Sequence, residues 1–127
     1  MFRGKRMNTK LLGGQGEDVA EDFLCCRGYQ ILARNFRVRV GELDIVARKE
    51  DTIVFVEVKT RRGNRCGTPG QSVTWKKKKK IIQTARWYLR QYHMEQMRCR
   101  FDVIEVYSHA SEAWDVRQIC GAFEEDA

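Results

Sequence analysis

Charged residues interrupt two apolar stretches of the segment 41–59, GELDIVARKEDTIVFVEVK. Glu42 and Asp44 fall in the first stretch, and Glu57 and Lys59 fall in the second. The pattern predicts two β-strands joined by a polar turn. A hairpin closed symmetrically about that turn places Asp44 opposite Glu57 and Glu42 opposite Lys59. All four charged groups are then expected on one patch.

The alternation of strand side chains assigns a face to each neighbouring residue. In the first strand Leu43, Ile45 and Ala47 are predicted on the face opposite the two carboxylates. In the second strand Ile53 and Phe55 continue the charged face, and the three valines between them and after them form the other face. The second strand is therefore predicted to be central and covered on both sides.

Carboxylates that face each other in a covered sheet repel, and burial raises the cost of ionising both. A divalent cation would relieve this conflict. Mg²⁺, or Mn²⁺ in its place, accepts one or two carboxylates and completes its shell with water and substrate phosphate. The pattern thus makes Asp44, Glu57 and Glu42 candidate metal ligands. Lys59 would hold an attacking water or stabilise charge that grows on a phosphate.

The order Asp44, a dozen residues, then Glu57-Val58-Lys59 resembles the Asp…Glu-x-Lys signature of the restriction-endonuclease-like superfamily. With the lead-in GELD at 41–44 and the order of elements from Gly16 to Phe123, the chain resembles the small bacterial YraN-type family, which is related to archaeal Holliday-junction resolvases. The resemblance implies a metal-dependent nuclease fold. The junction-resolvase relatives further imply a homodimer that acts on branched DNA.

A first helix is predicted from Gly16 to a stop at Gly28, on the helical spacing of its apolar residues. Glu17 lies on the apolar stripe of this helix, seven residues before Leu24. One interpretation is a carboxylate that stabilises its own helix N-terminus. The resemblance implies the other, a functional carboxylate aimed at the metal patch.

A second helix is predicted from Gln71 or Ser72 to Tyr92. Its apolar stripe, extended back one turn, reaches Lys77, whose ammonium could then reach the site. The other lysines of the run 76–80 form either a solvated ridge or a surface that contacts phosphates. The candidate nucleic-acid-binding residues are Lys76, Lys77, Lys80, Arg37, Arg61 and Arg62, although solvated arginines at a strand end are common.

The remaining pattern predicts a strand over 29–36, another over 100–107, and a last edge strand or turn around Trp114. Within 100–107, Asp102 is expected to pair with Arg100 rather than join the metal site. The predicted fold class is α/β, a restriction-endonuclease-like mixed sheet flanked by helices, in the order α-β-β-β-α-β with the last strand left open.

The length of 127 residues fits one domain, predicted over 16–123 between a flexible basic arm at 1–15 and an acidic tail at 124–127. A net charge of +7 favours a nucleic-acid partner, and the resemblance implies DNA rather than RNA. No apolar run reaches the length of a membrane span, so we expect a cytoplasmic protein without a membrane partner. The five cysteines show no CxxC spacing and are expected to be reduced.

Together these features predict a divalent-metal-dependent endonuclease that hydrolyses phosphodiester bonds, with Asp44, Glu57, Lys59, Glu42 and Glu17 at its centre. The alternative is a non-catalytic nucleic-acid-binding module that keeps the nuclease fold. A protein-interaction domain leaves the basic ridge unexplained.

Overall fold

The computed structural model describes residues 12–62, 74–109 and 113–124 of the chain. Residues 1–11 of the arm predicted over 1–15, the loop at 63–73 and the tail residues 125–127 lie outside the described residues. Two helices and five strands follow one another as α1 Leu12–Cys26, β1 Gln30–Val38, β2 Gly41–Lys49, β3 Thr52–Arg62, α2 Trp75–Gln91, β4 Arg98–Ser108 and β5 Trp114–Phe123.

The strands form one five-stranded sheet in the order β1-β2-β3-β4-β5. Neighbouring strands are antiparallel except β3 and β4, which are parallel because α2 connects them across the sheet. The predicted fold class is confirmed: the chain is an α/β domain with a mixed sheet, in an order consistent with a restriction-endonuclease-like fold. The segment around Trp114 forms an edge strand, β5.

Each helix covers one face of the sheet. The α1-side core contains Val19, Ala20, Phe23, Leu24, Tyr29, Ile45, Ala47, Val54, Val56, Ile104, Val106 and Trp114. The α2-side core contains Leu43, Val46, Ile53, Phe55, Ile81, Ala85, Tyr88, Phe101, Val103 and Phe123. Strand β3 contributes to both cores, as predicted for a central strand.

The helix ends differ from prediction at their N-termini. Helix α2 begins at Trp75, because Thr74 caps it by accepting a hydrogen bond from the Lys77 backbone N–H at 3.2 Å. The predicted start at Gln71 or Ser72 is therefore too early. Helix α1 begins at Leu12 rather than Gly16, and it stops as predicted before Gly28, which has a φ of 86°.

Two glycines let the helices approach the sheet closely. A Cβ on Gly16 of α1 would overlap the Thr60 hydroxyl of β3. A Cβ on Gly41 of β2 would lie 2.7 Å from Thr84 Oγ1 of α2. Both contacts fall near the charged segment, so they fix how closely each helix approaches it.

The strand alternation breaks in the β1–β2 hairpin. Leu43 and Val46 both contact the α2-side core, whereas Ile45 between them contacts the α1-side core. The predicted common face for Leu43 and Ile45 is therefore wrong. The register of these strands places Asn35 opposite Asp44, and Asn35 has a φ of 52°. A left-handed residue in one strand of a pair redirects the side chains around it.

The buried carboxylate of Asp102 belongs to a structural network. Its two oxygens accept hydrogen bonds from Arg100 at 2.9 Å each, as predicted, and also from Gln118 Nε2 and the Gly121 N–H at 2.9 Å. This network ties β5 to β4. The pairing with Arg100 is confirmed, and the other partners named here are structural as well.

We expect Asp102→Ala to lower the free energy of unfolding by about 3 kcal/mol or more, because it leaves several donors without an acceptor. Urea denaturation measures this loss. Asp115→Ala is the matched control: Asp115 also links the two strands, since it lies in β5 and bonds His109 just after β4, but it is partly exposed. It should cost less than about 1 kcal/mol. Equal losses in both variants would contradict a special role for Asp102.

Candidate metal centre

Asp44 and Glu57 meet where the pairing of β2 and β3 ends. The paired residues run from Lys49 and Thr52 to Ile45 and Val56, and one further step of the same register places Asp44 opposite Glu57. This is the predicted register. At that step Asp44 Oδ2 accepts a hydrogen bond from the Val58 backbone N–H at 2.8 Å. A side chain therefore satisfies a main-chain donor at the end of the ladder.

The Asp44 carboxyl is the most perturbed carboxylate of the site. Burial and then the negative charge of Glu57 raise its pKa from 3.8 to about 7, with a smaller contribution from Glu17. The Val58 N–H and the Lys77 ammonium act in the opposite direction. Among the described residues Asp44 forms no ion pair, although the charge of Lys77 acts on it.

Glu57 is buried and already has cationic partners. Its Oε1 lies 2.8 Å from Lys77 Nζ and 3.5 Å from Lys59 Nζ. Lys77 thus reaches the site from α2, at the position that its helical stripe predicts. The two lysines neutralise Glu57, whereas Asp44 beside it has a hydrogen bond from a neutral group.

The two lysines are not equivalent. Burial, together with the neighbouring Lys77, lowers the pKa of Lys59. Burial is the largest single influence on Lys77 and opposes its charge, but the hydrogen bonds to Glu57 and Lys59 and the charges of Glu57 and Asp44 together outweigh burial and raise the pKa of Lys77. Lys77 is therefore the more firmly protonated amine of the pair, and Lys59 is the one that gives up a proton more easily.

Glu17 lies within electrostatic range of Asp44, since its charge contributes to the raised pKa there. It sits in the second turn of α1, which begins at Leu12, so it is not a helix N-terminal carboxylate. Arg34 of β1 lies 3.4 Å from Glu17 and also pairs with Asp18 of the same helix. Arg34 thus holds Glu17 at the margin of the site.

The structure does not bring Glu42 to the carboxylate pair. Its side chain is 54% exposed and accepts a hydrogen bond from Arg37 Nε at 2.8 Å, across the β1–β2 pair. The prediction that Glu42 joins Asp44 on one patch is corrected, because the strand alternation breaks between Leu43 and Ile45. The guanidinium of Arg37 is thus paired with Glu42 in this structure.

The remaining predicted basic residues lie around the site in different settings. Lys76 and Lys80 are exposed on α2. Arg61 of β3 donates to Glu105 Oε2 at 3.1 Å. Arg62 is the last residue of β3, and its side chain lies outside the described part of the structure.

Glu105 is a site neighbour that the sequence interpretation missed. It is fully buried in β4, where the parallel register pairs it with Lys59. Its Oε1 has no hydrogen-bond partner among the described residues. The signal was present, because Glu105 is a charge inside the apolar strand 100–107, the feature that singled out Asp44 and Glu57.

The donor set fits a divalent metal in part. Asp44 and Glu57 supply hard carboxylate oxygens on adjacent strands, which suits Mg²⁺ or Mn²⁺ with water completing the shell. Among the described residues, no three His, Cys, Asp or Glu side chains are grouped as metal ligands. The pair could hold one ion. Glu42 is paired with Arg37, so it does not complete a coordination shell made of protein ligands alone.

The comparisons with known proteins identify the family. A model described as Uncharacterised protein family UPF0102 matches residues 16–106, which include both carboxylates and both lysines of the site. The chain belongs to this family. The family is also the YraN family, so the resemblance noted from the sequence is confirmed.

Family members of similar length align over most of the chain. A UPF0102 protein of Caldicellulosiruptor saccharolyticus is 42% identical over 118 residues, which cover 92% of this chain and 100% of that protein. A UPF0102 protein of Clostridioides difficile is 48% identical over 101 residues, covering 80% and 89%. The solved structure of Pyrococcus furiosus SfsA in complex with Ca²⁺ aligns with a TM-score of 0.41 and 18% identity, over 87% of this chain and 63% of that one.

In the described part of the chain, neither helix has the length and apolar character needed to cross a bilayer.

Asp44→Asn tests the like-charge conflict through its pH dependence. The raised pKa means that the folded state holds the Asp44 proton more tightly than the unfolded state, so the contribution of Asp44 to stability is greatest at low pH. It should fall between about pH 4 and pH 7, by at most about 4 kcal/mol. Asparagine keeps an oxygen for the Val58 N–H but has no charge. In EDTA the variant should therefore melt higher than wild type at about pH 8 and similarly at about pH 4.

Thermal melts of both proteins across this range measure the difference. A variant that melts lower than wild type at every pH would show that the Asp44 carboxylate is already stabilised in the fold. That result would contradict the repulsion between Asp44 and Glu57.

Lys77→Met tests the partner of Glu57. Removing this cation leaves the buried Glu57 with only the more distant Lys59, so unfolding should become easier by roughly 1–3 kcal/mol, less than for a fully buried pair because Lys77 is partly exposed. Lys76→Met is the control one residue away on the same helix, and it should change stability by less than about 0.5 kcal/mol. Denaturant midpoints compare them, and equal effects would refute the ion pair.

Proposed function

We propose that this protein is a divalent-metal-dependent endonuclease that hydrolyses phosphodiester bonds. The observation that supports this most is the carboxylate pair. Asp44 lies beside Glu57 with its pKa raised to about 7, and two lysines stand at the same place. Perturbed carboxylates with adjacent amines are typical of catalytic sites.

Asp44 and Glu57 would hold the ion, and Glu17 would support it through water. Mg²⁺ or Mn²⁺, when bound, would supply a Lewis acid that polarises the phosphate and neutralises growing negative charge. In the part of the chain that the structure describes, Asp44 forms no ion pair, so its carboxylate would gain from a bound cation.

The two lysines would take different parts. Lys59, whose pKa is lowered, can position the attacking water and accept a proton from it. Lys77, whose pKa is raised, stays charged, positions Glu57 at 2.8 Å and offers positive charge to the phosphate. The assignment gives each lysine a role that the other would perform less well.

Nucleic acid is the substrate class that fits the surface charge. The chain has a net charge of +7, and exposed Lys76 and Lys80 lie on the helix that also presents Lys77 to the site. Backbone phosphates would contact these lysines without reading sequence. DNA rather than RNA, a branched substrate and a homodimer stay predictions from the resemblance.

A second candidate is a nucleic-acid-binding module without catalysis. One observation favours it: Lys77 and Lys59 already neutralise Glu57, so this carboxylate does not require a metal. In that case Asp44 would simply be protonated near neutral pH. The two candidates differ in whether added Mg²⁺ produces any chemistry.

A panel of labelled linear, flapped, branched and RNA substrates with Mg²⁺ or Mn²⁺ tests the proposal. We expect wild type to cut at least one of them, and Asp44→Asn and Lys59→Ala to lose cutting by a factor of roughly 100 or more while retaining binding. Glu42→Gln is the matched carboxylate control on the same strand. It should cut nearly as wild type does, because Glu42 lies outside the pair.

Equal residual cutting by wild type and by the Asp44 and Lys59 variants would identify a contaminating nuclease. Binding without cutting on the full panel, with both metals, would support the non-catalytic module instead.

A further inference from the structure

The exposed apolar surface of the described residues is concentrated on one helix. Trp75 begins α2 and is 70% exposed, and Trp87 near its other end is 49% exposed. Tyr92 caps the same helix, and Val40 lines a concavity together with Trp87. Single exposed apolar residues are ordinary, but two large indoles on one surface indicate a binding face.

Each of these tryptophans has a cation beside its ring. Lys79 Nζ lies 5.3 Å from the centre of the Trp75 ring, and Arg90 Cζ lies 5.8 Å from that of Trp87. Arg86 lines the concavities next to both rings. The helix contains no acidic residue, and Glu124 is the acidic side chain that borders the concavity at Trp75.

The two tryptophans are twelve residues apart, which corresponds to about 18 Å along the helix axis. Basic side chains occupy the surface between them. An extended chain that offers flat rings and regularly spaced negative charges would match this arrangement. Unpaired nucleotides have both features, because a base stacks on an aromatic ring while its phosphate meets a neighbouring cation.

We propose that the outer face of α2, defined by Trp75, Lys79, Arg86, Trp87 and Arg90, binds single-stranded nucleic acid by stacking bases on the two indoles. The role of this face in substrate binding rests on the proposed function, since the inner side of the same helix presents Lys77 to Glu57. It specifies the substrate class more closely: a nucleic acid with an unpaired segment next to the scissile bond.

The charges and rings favour single-stranded nucleic acid over other ligands of this face. In a duplex the bases are stacked on each other, so the indoles would add little to phosphate contacts. A second copy of this face would bring two basic helices together, and like charges oppose that pairing. An acidic protein would satisfy the cations but would not require both flat rings.

Binding measured in EDTA separates this surface from catalysis. We expect Trp75→Ala and Trp87→Ala each to weaken binding of a single-stranded oligonucleotide by roughly five-fold to one-hundred-fold. Binding of the matching duplex should change by less than about two-fold, since its phosphate contacts remain. Trp75→Phe and Trp87→Phe keep an aromatic ring and should restore most of the affinity. Fluorescence anisotropy of the labelled oligonucleotides gives all of these affinities.

Tryptophan fluorescence supplies a second readout. Trp114 is buried in the α1-side core, so quenching by the single strand should come from Trp75 and Trp87 and disappear in the double alanine variant. Arg90→Gln should weaken single-strand binding. Arg27→Gln is the matched control, because Arg27 also lies over an aromatic ring, that of Phe23 on α1. It should leave binding unchanged.

Unchanged single-strand affinity in both alanine variants, or equal losses for single strand and duplex, would overturn the proposal. So would a wild-type dimer that dissociates in these variants while their single-strand affinity stays the same. Cutting by wild type with tryptophan-independent binding would refute the stacking face alone. Tryptophan-dependent binding without cutting on any substrate would refute the nuclease and leave the stacking face standing.

Discussion

The repulsion between the carboxylates of Asp44 and Glu57 is the constraint on which the site depends. Two acids on neighbouring strands, one of them buried and the other partly buried, cannot both be ionised at no cost. Glu57 is compensated by Lys77 and Lys59, whereas the hydrogen bond found for Asp44 among the described residues comes from the neutral Val58 N–H. The remaining negative charge, or the proton that replaces it near neutral pH, leaves a cost that the proposed divalent cation would relieve.

The architecture keeps that conflict in place. Strand β3 is packed on both faces, so Glu57 cannot turn away without disrupting a core. Gly16 and Gly41 allow α1 and α2 to approach the strands closely, one on each side of the charged segment. Helix α2 then brings Lys77 to Glu57 on its inner side and displays a basic, aromatic surface on its outer side. One helix thereby links the candidate chemistry to a candidate substrate surface.

The sequence predicted the parts of this account that follow from local periodicity. The symmetric turn sets the β2–β3 register, and the helical stripe identifies Lys77 among five consecutive lysines. The exposed position of Glu42 was not predictable in this way, because it follows from a left-handed Asn35 on the partner strand. The burial of Glu105 against β3 likewise depends on parallel pairing between strands distant in sequence, which periodicity does not report.

The central claim is that Asp44 and Glu57 form a metal-binding pair, and the titration of the Asp44 carboxyl by carbon-detected NMR tests it most directly. In EDTA the carboxyl should titrate with a pKa of about 7. Millimolar Mg²⁺ binds the ionised form and should lower that value by roughly one unit or more, with a smaller response in Asp102 as an internal reference. An Asp44 carboxyl that titrates near its ordinary value of 3.8, and that does not respond to Mg²⁺, would contradict the account.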